Sequence, residues 1–215
     1  MHTCLLQTHS RVNEDLFQLT LPNHTAYAGL HEYDMLQINR GYGEAMADGL
    51  DYIETALGMS DWVLSVGSDV LFTNPAMPLS EFDDGRHSVF IGEEGLGSAF
   101  VNFDVVLWKN SDGTRRFIKR LREIKPQWMQ HSWGLQAGVI MLIQAADPAA
   151  IDHLCVYRAR GMQSAPFPNQ RGTWQPGDFA LHFVGMSNAD KYAGCKQFLE
   201  TGSVRWLERV GCNDG

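Results

Sequence analysis

Between residues 3 and 66 the chain alternates short β-prone apolar runs with helical apolar stripes, and no other feature restricts its fold as much. Thr3 to Gln7 reads as a first strand, Asn23 to His31 as a helix with Tyr27 and Leu30 on one face, and Met35 to Ile38 as a second strand. Met46, Leu50, Ile53 and Leu57 then recur at spacings of four, three and four residues, forming one stripe that stops at Gly58. Trp62 to Val66 follows as a third strand. A βαβαβ order is satisfied by a parallel sheet with helices on its faces, because parallel neighbours need a crossover and the crossover covers a face. The expected class is α/β, a mostly parallel central sheet flanked by helices. A single domain over residues 1–215 is expected, since no linker or composition shift marks a boundary.

The third strand ends in a charge. Gly67-Ser68-Asp69 follows it, then Val70-Leu71-Phe72-Thr73 and a stop at Asn74-Pro75. Ligands of open α/β sheets collect at the carboxyl ends of the strands, so Asp69 is placed to hold a metal or a phosphate-bearing ligand. An aspartate in a small-residue turn also serves to cap the next element. Thr8, His9, Ser10 and Arg11 read as a polar loop after the first strand, of the kind that contacts a nucleotide.

Further along, Ser88 to Ile91 and Phe100 to Trp108 read as strands around a polar loop, Glu93 to Ser98. Ser111 is placed to cap a helix that turns Phe117, Leu121 and Ile124 inward, its basic residues forming a solvated face. Gly134 to Ile143 fits a buried strand or a buried helix equally, and Pro148 to Tyr157 reads as helical with Ile151, Leu154 and Cys155 inward. Gly161 to Gly177 reads as a long loop, Phe179 to Val184 as a strand, and the stretch from Ser187 as helical.

Composition narrows the partners. With 17 Lys+Arg against 25 Asp+Glu, the net charge of -8 disfavours nucleic acid and anionic membranes, so an anionic ligand needs a local, metal-assisted site. Cys4, Cys155, Cys195 and Cys212 show no CxxC spacing, which argues against a disulfide framework and for a reducing compartment. Polar residues interrupt the first twenty positions, and no apolar run of about 18 residues offers a transmembrane segment. The expected location is cytoplasmic, or a soluble domain excised from a longer protein.

Of the eight histidines, His182 stands in an apolar strand context beside a Gly-Asp pair and is the best metal partner for Asp69, although a histidine on an apolar strand is commonly a satisfied core residue. GxGxxG, Walker and GxSxG motifs are absent, which disfavours NAD, ATP-loop and serine hydrolase chemistry. Trp108, Trp128, Trp133 and Trp174 are candidates for a sugar-stacking surface or for the core.

In order, these pieces resemble family 34 glycosyltransferases, the α-galactosyl, α-mannosyl and α-xylosyl transferases. Asn23 to Asp34 is similar to that family's opening block, residues 61–75 to its W…D-x-D…N segment, and Asn102 to Ser111 to its N-x-G…L.RNS strand and turn. His131 to Gln136 falls at its tryptophan and DDQ block, and Trp174 to Gly185 resembles its W.PGDF..HF.G segment. The resemblance covers roughly residues 3 to 200. It implies a GT-A (Rossmann-like) fold, a UDP- or GDP-linked nucleotide-sugar donor, a glycan or glycoprotein acceptor, retention of anomeric configuration, and Mn²⁺ (or Mg²⁺) held by Asp69 and His182. Gln136 is the catalytic position that the resemblance implies, and Asp104 is the second catalytic candidate; Thr8, His9, Ser10, Tyr27, Ser68 and Gly185 are the candidate donor contacts.

The departures are specific. Gly67 stands where D-x-D has its first aspartate, Gly134-Leu135 where acidic residues precede Gln136, and Asp104 where the family has glycine, supplying a carboxylate that the usual pattern lacks. No lysine precedes Lys109, so a donor-binding lysine expected before D-x-D is missing. Two alternatives therefore stand beside the transferase: a catalytically degenerate sugar- or partner-binding relative, and a metal-dependent phosphohydrolase built on Asp69 and His182.

Overall fold

The computed structural model describes residues 2–10, 13–40, 42–93, 101–158, 160–167 and 173–203, with the side chains at 9–10, 39–40 and 42–47 left undescribed. A six-stranded sheet runs in the order β2-β1-β3-β6-β5-β7. Its strands are β1 (Thr3–Ser10), β2 (Asp34–Arg40), β3 (Trp62–Val66), β5 (Val89–Gly92), β6 (Asn102–Lys109) and β7 (Leu154–Tyr157). Pairing is parallel at β1/β2, β1/β3 and β5/β7 and antiparallel on both sides of β6, so β6 alone runs against the others. A second sheet pairs β4 (Val70–Phe72) antiparallel with β8 (Ala180–His182).

Helices cover both faces, which is why β3 is buried along its whole length and reads as a continuous apolar run. Cys4, Leu6 and Val63 face α2 (Tyr42–Leu57), α3 (Asp112–Glu123) and α5 (Leu135–Gln144), sharing one core with Leu50, Ile53, Phe117, Leu121 and Val139. Leu5, Leu64 and Val66 point the other way, toward Tyr27 of α1 (Glu14–Leu30), Phe72 of β4 and Phe179. This is the period-two alternation of a strand buried on both sides. Ser111 caps α3 by accepting from Thr114 N, as its sequence predicts. Two short helices, α4 (Lys125–Trp128) and α6 (Pro148–Ile151), flank α5, and α7 (Asn188–Thr201) closes the described chain.

Several expectations are corrected. α1 starts at Glu14 and runs through Pro22, because Leu16, Phe17, Thr20, His24, Tyr27 and Ala28 form one buried face that outweighs the lost backbone hydrogen bond. Thr8 to Ser10 is strand, paired with Ile38 to Arg40, rather than loop. Residues 134–143 resolve as helix α5 after Gly134. The stretch from Pro148 to Tyr157 is not one helix: α6 ends at Ile151, and Leu154 to Tyr157 is edge strand β7, parallel to β5. Ile151, expected inward, is 54% exposed. Most of the Glu93 to Ser98 loop, part of the Gly161 to Gly177 loop and Cys212 lie outside the described residues. Among the described residues no helix is long and apolar enough to cross a membrane.

Candidate active site

Three chain segments meet where β3 ends. β6 lies antiparallel beside β3 with Val105 opposite Val66, and one residue further Gly67 N donates to Asp104 O at 2.9 Å. Asp104 is thereby set against Gly67. A Cβ at position 67 would sit 2.7 Å from Asp104 Oδ1 and 3.0 Å from Asp69 Oδ1, so the glycine leaves the space that the Asp104 carboxylate occupies. The second sheet supplies the histidine: β4 pairs Val70 with His182, and Phe183 N donates to Asp69 O at 3.0 Å. His182 Nε2 then lies 3.4 Å from Asp69 Oδ2 and 3.3 Å from Asp104 Oδ2.

The fourth member arrives from α7. Gly185 turns the chain with φ 73, a left-handed conformation suited to glycine, and Ser187 caps α7 by accepting from Asp190 N. One turn into the helix, Lys191 Nζ reaches Asp69 Oδ2 at 2.6 Å.

These four groups set one another's charge. Burial works against ionised Asp69, but His182 and Lys191 hold its carboxyl far below the usual range. Partial burial and then the Asp69 charge push Asp104 up, while His182 and Lys191 pull it down less strongly. Burial opposes the His182 imidazolium, yet Asp69 and Asp104 overcome it and raise its pKa; Lys191 is raised in the same way, chiefly by Asp69. The carboxyl oxygens of Asp69 and Asp104 and an imidazole nitrogen of His182 lie within 4.8 Å of one another. Two hard oxygens with one imidazole suit Mn²⁺ or Mg²⁺, so this donor set fits the divalent cation that the family resemblance implies.

Asp69, Asp104 and Lys191 form part of the wall of a cleft of about 370 Å³ at the carboxyl ends of β1 and β3, and His182, 2% exposed, lies buried beside them. Among the residues lining it are Thr8, Ser68, Asp69, Asp104, Gln136 and Lys191. Gln136 Oε1 accepts from Phe103 N at 3.1 Å, which fixes the plane of its amide at the cleft wall. Trp133, 44% exposed, also lines the cleft.

No family model and no curated protein matches the sequence. Solved structures do resemble it. A glycosyltransferase involved in the glycosylation of the major capsid of PBCV-1 aligns at a TM-score of 0.70 and 15% identity, over 92% of this chain and 100% of that one. The galactosyltransferase LgtC, in complex with donor and acceptor sugar analogs, aligns at 0.61 and 14%, over 92% and 94%. The glycosyltransferase GlyE of Streptococcus pneumoniae aligns at 0.57 and 10%, over 93% of this chain and 64% of that one. This chain has the GT-A glycosyltransferase fold.

Within that GT-A frame, not every residue singled out from the sequence reaches the cleft. Tyr27 does not: it is 1% exposed in the core, and its hydroxyl donates to Met77 O at 2.9 Å. Gly185 acts through its backbone turn, leading into α7. The side chains of His9 and Ser10 lie outside the described residues. Asp178 holds the loop, accepting from Arg160 Nη2 at 2.7 Å, Ser164 Oγ at 2.6 Å and Gln175 N at 2.9 Å. Trp108 and Trp128 are fully buried, so only Trp133 of the four tryptophans combines exposure with a place in the cleft. Lys191 went unnoticed in the sequence; its one local signal is a lysine four residues after the helix-capping Ser187.

Proposed function

We propose that this protein is a glycosyltransferase that moves a hexose or pentose from a UDP- or GDP-linked donor to a hydroxyl of a glycan or glycoprotein, with retention, as the family 34 resemblance implies. The convergence of Asp69, Asp104 and Lys191 at the cleft wall, with buried His182 against both carboxylates, carries this reading, because departure of a nucleoside diphosphate is the hard event and needs positive charge beside it. Asp69, Asp104 and His182 would hold the cation, which when bound supplies Lewis-acid neutralisation of the diphosphate. The Asp104 carboxylate on β6 takes the role of the aspartate missing at Gly67.

The remaining roles fall to the chain's own groups. Lys191, now paired with Asp69, donates to a phosphate oxygen once that carboxylate is engaged elsewhere. Gln136, its amide plane held by Phe103 N, orients sugar hydroxyls without adding charge. The exposed ring of Trp133 offers a stacking face to a sugar. In the reaction, the bond from anomeric carbon to diphosphate oxygen breaks and the acceptor oxygen attacks from the same face. The acceptor proton passes to the departing phosphate oxygen.

The test is nucleoside diphosphate release from a panel of UDP- and GDP-sugars, with Mn²⁺ and with chelator. Turnover supports the reading; neither binding nor turnover across the panel overturns it. Saturable binding without turnover supports the degenerate relative instead, which the Lys191–Asp69 pair favours by already neutralising one carboxylate with an internal cation.

A further inference from the structure

A second group of ligand-bearing side chains lies where the turn before β5 meets edge strand β7. Asp84, His87 and Cys155 bring a carboxylate oxygen, an imidazole nitrogen and a sulfur within 4.8 Å of one another, and none of the three lines the cleft. Backbone geometry sets the first two. Gly85 adopts φ 71, Asp84 Oδ1 accepts from Arg86 N at 2.9 Å and His87 N at 2.8 Å, and Asp84 Oδ2 meets His87 Nδ1 at 2.5 Å. Cys155 arrives independently, because β7 runs parallel to β5 with Cys155 opposite Phe90, and it packs on the core face that holds Phe82 and Phe90. The site is partly enclosed, with the His87 and Asp84 side chains 16% and 32% exposed.

A cysteine beside a histidine and an aspartate suggests either a nucleophile or a metal site, and the arrangement separates them. A nucleophile needs a base aimed at the sulfur. Here His87 Nδ1 is engaged with Asp84, and burial together with the Asp84 carboxylate pushes the Cys155 thiol up, away from thiolate. A divalent cation among the three reverses that effect, since a coordinating thiol is deprotonated by the metal's own charge.

We propose that Asp84, His87 and Cys155 form a zinc site that ties the turn before β5 to edge strand β7. Sulfur, nitrogen and oxygen donors with a fourth position for water match Zn²⁺, whereas the cleft's two carboxylates and one imidazole suit a harder ion. On loading, the Cys155 S–H proton leaves to solvent and a Zn–S bond forms; the proton that His87 holds at Nδ1 is exchanged through solvent onto Nε2, so that neutral imidazole binds through Nδ1 and the freed Asp84 oxygen binds beside it. Zn–N and Zn–O bonds of about 2.0–2.2 Å hold tetrahedral ligand atoms roughly 3.3 Å apart, so the Asp84–His87 contact opens by about 1 Å.

The experiment uses the full chain, stripped by chelator and returned to Zn²⁺ or Mn²⁺, with iodoacetamide labelling of Cys155 read by mass spectrometry. At ten times its dissociation constant, Zn²⁺ leaves about one-eleventh of the sites free and slows Cys155 labelling by that factor, while the same concentration of Mn²⁺ has no such effect. Unchanged Cys155 labelling with Zn²⁺ overturns the proposal. Substitution with Co²⁺ gives a second readout: a thiolate-to-cobalt charge-transfer band is expected in the wild type and in Asp104→Asn, and is lost in His87→Ala and Cys155→Ser. A band that survives in Cys155→Ser overturns it as well.

Discussion

Gly67→Ala adds one methyl at the point where the site departs from the D-x-D pattern. That Cβ would lie 2.7 Å from Asp104 Oδ1, 3.0 Å from Asp69 Oδ1 and 3.2 Å from Asp104 Cβ, so a carboxylate must give way. Asp104 is the one that moves, because its side chain is 45% exposed while that of Asp69 is 10% exposed and held by Lys191. Displacing it removes one of three ligand atoms. Loss of an outer-shell partner alone weakens metal binding about 10- to 100-fold, so losing a direct ligand should cost at least ~10-fold, or about 1.4 kcal/mol. Fold stability should change little, because Asp104 has open space to enter. The free Mn²⁺ signal in electron paramagnetic resonance measures the affinity, and urea unfolding in chelator measures the stability. The double variant Gly67→Asp/Asp104→Gly, which moves the carboxylate to β3, should recover binding to within about tenfold of wild type. Wild-type Mn²⁺ affinity in Gly67→Ala would refute the reasoning.

Other predictions concern single contacts. Lys191→Met should weaken donor binding about tenfold or more, yet tighten Mn²⁺ binding because Asp69 Oδ2 loses its internal competitor; calorimetry reads both signs. Asp178→Asn should cost about 1–3 kcal/mol at neutral pH by releasing Arg160, Ser164 and Gln175 N. Burial opposes the Asp178 charge, but Arg160 and the other donors hold its carboxyl below the usual range. Its stabilisation is therefore complete above about pH 4 and fades as pH falls through the folded value, and urea melts of the two proteins should converge there. Burial lowers His24 to about 4 against the opposing hydrogen bond to Val70 O, so the unfolded chain takes up a proton there first as pH falls below about 6.5. Stability should drop by about 1.4 kcal/mol per pH unit between those values, and His24→Gln should flatten that slope; parallel slopes would contradict it.

How much the sequence disclosed depended on locality. The β2-β1-β3 half was legible because each strand is an apolar run and each crossover a helical stripe. β7 was not, since one buried and three half-buried residues after Pro148 carry no alternation and owe their conformation to pairing with β5. Asp69 and His182 could be picked out because each sits in or beside an apolar strand, where a charge is conspicuous. Tyr27 lies in a block that resembles the family's, yet its ring stacks on Phe72 at 4.2 Å inside the core. Lys191 lies in a polar helix 122 residues from its partner Asp69, a distance that no local pattern bridges. The fit of Asp104 into the space left by Gly67 likewise depends on the β3/β6 pairing, and only the presence of an extra carboxylate was visible beforehand.

The central claim is that the cleft turns over a nucleotide sugar with Asp104 as a metal-holding carboxylate. Its most direct test is nucleoside diphosphate release by wild type and Asp104→Asn, at fixed donor, across a Mn²⁺ titration. The account predicts Mn²⁺-stimulated release by wild type and, in the variant, an activation curve shifted to at least tenfold higher Mn²⁺. Superimposable curves, or no release from any donor at any Mn²⁺ concentration, would contradict it.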